Sequence, residues 1–360
     1  MPLTSGKQAP QGSPSSPRFY LLDFARFLAA LAVVFYHFVS RDADQWPRST
    51  RGMFPDLSII SSYGYLGVQL FFIVSGFVIL MSTEGRTVSS FAAARAARIF
   101  PAYWLAVIAT ACLRTWTAPE LGDGVTVPQV LVNLTMFQVP ADVSHVDDVY
   151  WTLWIELVFY IIMACLMAAK VTYRGYTIFL AVYPSLMLLV AESEDLRLID
   201  ITGAKYFSFF ALGMCLYLIH KHGSKFELWL LFAFNAAIGI HNTLYFSVPN
   251  EPTDGRFVTD VGVAIVVVAI IALMTVLTLT PFKHRGYTWM TKAGALTYPL
   301  YLTHHYWGLW LIGRLEPTMG RWLTLAIAVA ASLIVAYMLE RWVERPVRPR
   351  MRRLLQRVLS

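Results

Sequence analysis

With 57% hydrophobic and only 14% charged residues over 360 positions, the chain is too apolar for a water-soluble domain, where about a quarter of residues carry charge. Its net charge of +7 would suggest nucleic acid in a soluble protein, but here the charge sits between apolar runs and reports topology, so no nucleic-acid partner is expected. Hydrophobic stretches recur from Leu21 to Val343 without a long polar interruption, and the expected fold class is all-α, a polytopic integral membrane bundle of about ten transmembrane helices.

In chain order, residues 1–19 hold Pro2, Pro10, Pro14 and Pro17 among Ser, Gly and Gln and read as a flexible cytoplasmic tail that cannot bury enough apolar surface to order. The apolar run that follows carries Asp23 and Arg26 and lacks a small-residue cleavage site, so it is a retained first helix and not a signal peptide. Spans are expected near 20–40, 64–82, 101–118, 151–169, 175–191, 204–220, 227–245, 257–280, 296–313 and 322–343, each able to cross about 30 Å of hydrocarbon. A membrane domain then covers 20–345, and 346–360 is a basic cytoplasmic tail. With the N-terminus inside, eighteen basic residues fall on the cytoplasmic side and nine on the other, as the positive-inside rule requires. An even number of spans leaves both termini cytoplasmic. Acidic residues such as Asp142, Asp147, Asp148 and Glu192 gather on the outer side. Cys112, Cys165 and Cys215 lie in or beside apolar runs without paired spacing, so neither a disulfide framework nor a metal site is expected.

Ionisable groups inside spans cost a few kcal/mol each, so each needs a partner, a cavity or a function. Arg26 and His37 are eleven residues apart, which on a helix leaves them ~20° apart around the axis and ~16 Å apart along it, on one face. Asp23 lies within ~60° of Arg26, so a local Asp23–Arg26 ion pair, with His37 capping an outer loop, is an equal reading of the same face. The fourth span opens on Tyr150, Trp151 and Trp154, which suit an interfacial aromatic belt, and Glu156 follows at a depth like that of His37. A carboxylate there can orient an imidazole and stabilise its protonated form, or pair with an intramembrane arginine. Arg95 and Arg98, three apart on what reads as a short cytoplasmic helix over 89–101, can clamp phosphates or simply set topology. His304 and His305 follow Tyr298-Pro299 in the ninth span. Adjacent residues diverge on a helix, so a two-ligand metal site is not expected and at most one of the two lines a cavity. Gly64, Gly67, Ser75 and Gly76 permit close helix approach. The sequence has no P-loop, dinucleotide fingerprint or serine elbow.

Taken together, five segments resemble the membrane-bound acyltransferase family 3, whose members acylate cell-surface glycans and some antibiotics. Arg26 and His37 in LDFARFLAALAVVFYHF match its arginine, ten residues, histidine pattern, and GYLGVQLFFIVSGFVI from Gly64 to Ile79 is similar to its second-span signature. Arg95, Arg98 and Pro101 in RAARIFPAYW resemble its cytoplasmic arginine motif. Trp151, Thr152, Leu153, Glu156 and Phe159-Tyr160 in WTLWIELVFY resemble its tryptophan-to-glutamate motif, and Tyr298, Tyr301 and His304 in LTYPLYLTHH its late helix.

The resemblance implies transfer of an acetyl or other short acyl group from acetyl-CoA or another acyl-CoA, without a metal. The acceptor it implies is a hydroxyl of a cell-surface polysaccharide, exopolysaccharide or lipid-linked sugar. It implies His37, Glu156 and Arg26 as the catalytic group, with His37 as general base or transient acyl carrier. Arg95, Arg98, Tyr298 and His304 would bind the donor, and Arg26 would help to hold it. The implied setting is the bacterial cytoplasmic (inner) membrane, with membrane lipids around the bundle and glycan-assembly proteins as partners. A macrolide or other small hydroxylated metabolite is the alternative acceptor. A transporter or flippase of acylated glycans also suits buried charge in ten spans, although no duplicated half is visible. Larger relatives append an extracytoplasmic esterase-like domain, and this sequence ends soon after its last span. The expectation is that the membrane unit completes the reaction or a separate partner does.

Overall fold

The computed structural model describes residues 19–41, 45–121, 124–247 and 258–359. The expected flexible tail, apart from Phe19, lies outside them. Lipid offers the backbone no hydrogen-bond partner, so a chain of this composition satisfies its amides within helices, and among the described residues there is no strand. The order is α1 (Tyr20–Val39), α2 (Thr50–Met53), α3 (Pro55–Ser61), a 3-10 turn (Gly64–Leu66), α4 (Gly67–Thr83), α5 (Val88–Leu121), α6 (Val127–Leu134) and α7 (Trp151–Ala168). It continues with α8 (Tyr173–Glu192), α9 (Leu196–Thr202), α10 (Phe207–His222), α11 (Phe226–Ser247), α12 (Asp260–Leu279), α13 (Thr288–Thr303) and α14 (His305–Leu339). A π turn (Glu340–Glu344) then leads into α15 (Arg345–Leu359). Among the described residues nine helical segments are long and apolar enough to cross a membrane.

Two expectations change, and the basic tail gains a structure. The segment 89–101 is not a separate helix: it is the first part of α5, a continuous helix of 34 residues that runs through Pro101. The span expected over 296–313 is broken. The helix α13 ends at Thr303 and the chain restarts at His305 as α14; Pro299, inside α13, leaves the Ala295 carbonyl without its helical donor one turn earlier. With 16 residues α13 falls short of a full crossing by itself. The basic tail is helical: α15 packs against α5, and Gln356 Nε2 donates to Ser90 Oγ at 3.3 Å.

Within α14, Gly320 has φ 68° and ψ 167°, a conformation that leaves the helix and that a side chain disfavours. The chain reverses there. Next to the reversal, Arg321 Nη1 donates to the Met53 carbonyl at 2.6 Å, beyond the C-terminus of α1, while α15 lies at the opposite end of the bundle. That opposite end holds Arg26, Arg95, Arg98 and the arginines of α15, and is called the basic end below.

The centre of the bundle is the α4–α10 crossing. From Phe207 to Ile219 every residue of α10 is buried, and Phe72, Phe77, Phe159, Phe209 and Phe210 fill the space around it. Large apolar side chains on the outward faces of α8 and α12, such as Leu189 and Ile265, remain exposed, as lipid contact requires. The crossing depends on absent side chains: a Cβ at Gly76 would lie 2.0 Å from the Phe210 carbonyl oxygen, and one at Gly213 2.0 Å from that of Ile73. Backbone cannot yield as a flexible side chain does. Gly213→Val is therefore expected to destabilise the bundle by at least ~1–3 kcal/mol, read as a lower Tm and reduced monodisperse protein in detergent. An unchanged Tm would mean that the crossing is looser than this geometry.

Candidate functional site

The polar face of α1 carries two groups of side chains, one around Arg26 and one around His37, separated by the ~16 Å rise of eleven helical residues. At the basic end, Arg26 from α1, Arg98 from α5 and Tyr298 from α13 line a cavity of about 700 Å³, whose remaining wall includes Glu344, Arg348 and Arg352. Tyr298 is fixed by donating its hydroxyl to the Ile99 carbonyl at 2.9 Å. Arg95 is not part of this lining. Its guanidinium lies 5.7 Å from the centre of the Phe91 ring and 5.8 Å from that of Tyr160, a cation–π setting beside the cavity.

Arg26 and Tyr298 also line a slot of about 50 Å³ that continues inward past Ser75, Glu156, Thr152 and Tyr301. Glu156 Oε1 accepts from Tyr160 Oη at 2.6 Å and from Ser75 Oγ at 3.3 Å. At the far end of the slot, Thr152 Oγ1 donates to Tyr301 Oη at 2.9 Å, and Tyr301 donates on to the Val149 carbonyl at 3.1 Å. The Tyr301 and His304 rings are 5.8 Å apart, so the slot ends against the second group.

That second group is three buried histidines and one buried carboxylate. His37 Nδ1 is 3.0 Å from the Val33 carbonyl and 3.1 Å from His304 Nε2. His304 Nδ1 faces the Leu300 and Tyr301 carbonyls at 3.1 and 3.0 Å. Carbonyl oxygens only accept, so both Nδ1 atoms carry the proton in the neutral rings, and His304 Nε2 accepts from His37. His37 Nε2 is left with its lone pair. His305 Nδ1 donates to Asp147 Oδ1 at 2.7 Å, which leaves His305 Nε2 unprotonated too, and the His37 and His305 ring centres are 4.6 Å apart. Asp147 Oδ2 accepts the Tyr306 amide at 3.2 Å, so the same carboxylate caps the first turn of α14. Burial raises the Asp147 carboxyl, but the hydrogen bonds that it accepts from His305 and from the Tyr306 amide outweigh this and hold it below the usual carboxylate range, so that it is ionised at neutral pH. Among the described residues no group of three His, Cys, Asp or Glu side chains is arranged to hold a metal ion.

The structure thus regroups the expected residues. Arg26, Arg98, Tyr298 and Glu156 line the cavity and slot, whereas His304 stands with His37 and away from the donor-side arginines. Glu156 is not the partner of His37: its hydrogen bonds go to Ser75 and Tyr160. The depth argument failed because Tyr150 and Trp154 form no lipid-facing belt. Tyr150 is fully buried, and Trp154 is buried with its indole N–H on the Ile201 carbonyl at 3.0 Å. His304 and His305 stand at the junction of α13 and α14 and straddle His37, with ring centres 5.1 and 4.6 Å from that of His37 and 6.3 Å from each other, so neighbours that diverge still reach one imidazole placed between them. Asp147 and His305 were missed as a pair. The only signal in the sequence was Pro299 ahead of two histidines, and nothing in it joins them to an aspartate 158 residues away.

The family described as an acyltransferase domain matches residues 19–341. Over 185 residues the chain is 30% identical to an O-acetyl transferase of Shigella phage Sf6, covering 48% of this chain and 53% of that protein. Over 110 residues it is 36% identical to the exopolysaccharide production protein ExoZ of Rhizobium meliloti (strain 1021), covering 28% of this chain and 33% of that protein. The chain therefore spans between a third and about half of the length of these curated relatives. No solved structure matches it.

Proposed function

The chain belongs to the acyltransferase-domain family, and from that premise we propose that it is a membrane O-acyltransferase moving an acetyl or similar short acyl group from an acyl-CoA to a hydroxyl of a cell-surface or exported polysaccharide. The observation that carries this reading is continuity: the basic cavity shares Arg26 and Tyr298 with the slot, and the slot ends beside the histidines. A donor with a phosphorylated head and a long neutral arm matches the order of such a path, and the slot of about 50 Å³ has to widen to admit the arm. The head stays among arginines, which match phosphate geometry, and the arm carries the thioester inward. The relatives named an O-acetyl transferase and an exopolysaccharide production protein support the acetyl group and the acceptor class.

In this reading the basic end faces the cytoplasm of a bacterium, where acyl-CoA is made, and the bilayer is the inner membrane. The acceptor hydroxyl approaches the histidines from the other side. His37 Nε2 takes the hydroxyl proton as the oxygen attacks the thioester carbonyl. The C–S bond then breaks, the thiolate recovers the proton, and the products are an ester and free CoA. The His305–Asp147 pair takes the role expected of Glu156: it brings a fixed carboxylate into the histidine group as positive charge develops there. Glu156 instead lies along the slot, beside the path of the arm.

The test compares surface glycans and secreted metabolites of a null strain with and without the wild-type chain by mass spectrometry, together with purified protein given isotope-labelled acetyl-CoA. Labelled ester on polysaccharide, dependent on the protein, is the expected result. An ester confined to small metabolites would replace the acceptor and keep the donor half. No labelled ester on any acceptor would remove the proposal.

A further inference from the structure

The family match ends at residue 341, yet the basic cavity is closed by residues beyond it. α15 begins at Arg345, directly after the π turn, and places Arg345, Arg348 and Arg352 at spacings of three and four, on one helical stripe. That stripe faces the cavity. The helix has other faces: Met351 and Leu355 are half-buried, while Leu354 and Val358 are exposed with Arg350, as suits a helix lying at a membrane surface.

Charge in the cavity is unbalanced. Six arginines, Arg26, Arg98, Arg345, Arg348, Arg352 and Arg353, line it against three carboxylates, Asp23, Glu340 and Glu344. Among the described residues no carboxylate lies within ion-pair distance of Arg26, Arg98, Arg348 or Arg352. Thr291 Oγ1 and Glu344 Oε1, both on the lining, are buried without a hydrogen-bond partner. Several guanidinium groups from three helices converging on one space of about 700 Å³ call for a ligand with several phosphate oxygens.

We propose that α15 forms one wall of the donor site and that Arg348 and Arg352, opposite Arg26 and Arg98, bind the phosphates of the acyl-CoA head, its 3′-phosphate and pyrophosphate. The proposal rests on the acyl-CoA reading above and adds that a segment outside the matched family region sets donor affinity and selects CoA over shorter thioesters. Anionic lipid headgroups share the same chemistry, so the experiment separates the two sources.

Full-length protein in lipid nanodiscs is assayed for transfer from acetyl-CoA, from 3′-dephospho-acetyl-CoA and from acetyl-pantetheine. The variants are Arg348→Ala, Arg352→Ala and their combination, with Arg350→Ala as the control on the outer face of the same helix. The double variant is expected to raise the KM for acetyl-CoA about tenfold or more with kcat within about twofold. The penalty should shrink for 3′-dephospho-acetyl-CoA and vanish for acetyl-pantetheine, and Arg350→Ala should match wild type. Equal loss with all three donors would show general damage and overturn the proposal, as would an unchanged KM. An effect that follows the anionic lipid content of the nanodisc, and not the donor, would make α15 a headgroup site and also overturn it. If wild-type protein transfers from acetyl-pantetheine or another acyl carrier but from no CoA thioester, the acyl-CoA reading fails first, and that outcome is visible before any variant is compared.

Discussion

His37→Gln is expected to lower the transfer rate by on the order of 10²–10⁴-fold, the range lost when a positioned general base is removed, with protein amount and Tm close to wild type. The geometry leaves little room for a milder result. Of the three grouped histidines, in their neutral forms, His37 and His305 present an Nε2 whose lone pair is not already turned to a protein donor, because His304 Nε2 accepts from His37. Glutamine keeps an amide that can reach the Val33 carbonyl, which limits the structural cost to about 1 kcal/mol for the hydrogen bond lost at His304. The measurement is kcat with labelled acetyl-CoA at saturating donor, alongside a thermal melt. A second observation separates base from carrier. Wild-type protein incubated with donor alone and quenched should carry no acyl group, whereas a histidine that accepts the acyl group would leave one on the chain. Retention of the wild-type rate in His37→Gln would remove His37 from the chemistry altogether.

Asp147→Asn should show the next largest effect, a fall in kcat on the order of 10² with donor KM unchanged. The substitution is chosen because Asp147 has two tasks. Its Oδ2 caps the restarted α14 through the Tyr306 amide, and its Oδ1 holds His305. Asparagine retains an acceptor for the cap and loses the charge. A purely structural Asp147 would therefore tolerate asparagine with near-normal kcat, and that outcome would end its proposed part in catalysis. His305→Gln should lose a similar factor, and the double variant little more than either single one, since residues acting as a unit do not contribute additively. Asp147→Ala should differ from Asp147→Asn by adding a stability loss of about 1–3 kcal/mol from the uncapped amide and the unpartnered imidazole.

The class of fold was legible because its cause is local. A composition of 57% hydrophobic and 14% charged residues forces the chain out of water, and lipid then forces the backbone into helices. The α1 spacing of Arg26 and His37 was legible for the same reason: helical geometry over eleven residues fixes a common face without help from the rest of the chain. The glycines of the second span are indeed close-approach positions, although which backbone meets Gly76 depends on α10.

The site itself was decided elsewhere. Glu156 looked like a partner for His37 as long as Tyr150 and Trp154 were taken for part of an interfacial belt, a depth mark that held no meaning once both proved buried in the bundle. Divergence of adjacent histidines argued against a shared site only while their own helix was considered, because His37 of α1 sits between the two rings. At the junction the Tyr306 amide is capped by Asp147, which comes from a segment 158 residues away from His305 in the chain.

What the sequence by itself determined is the membrane-embedded helical bundle, its basic end and the helix face shared by Arg26 and His37, because burial of apolar surface and helical periodicity act over short stretches of chain. What only the tertiary structure decided is the pairing: Glu156 with Tyr160, His305 with Asp147, and α15 with the basic cavity. Those contacts join segments whose meeting depends on the whole packing arrangement, and no periodicity within a segment encodes them.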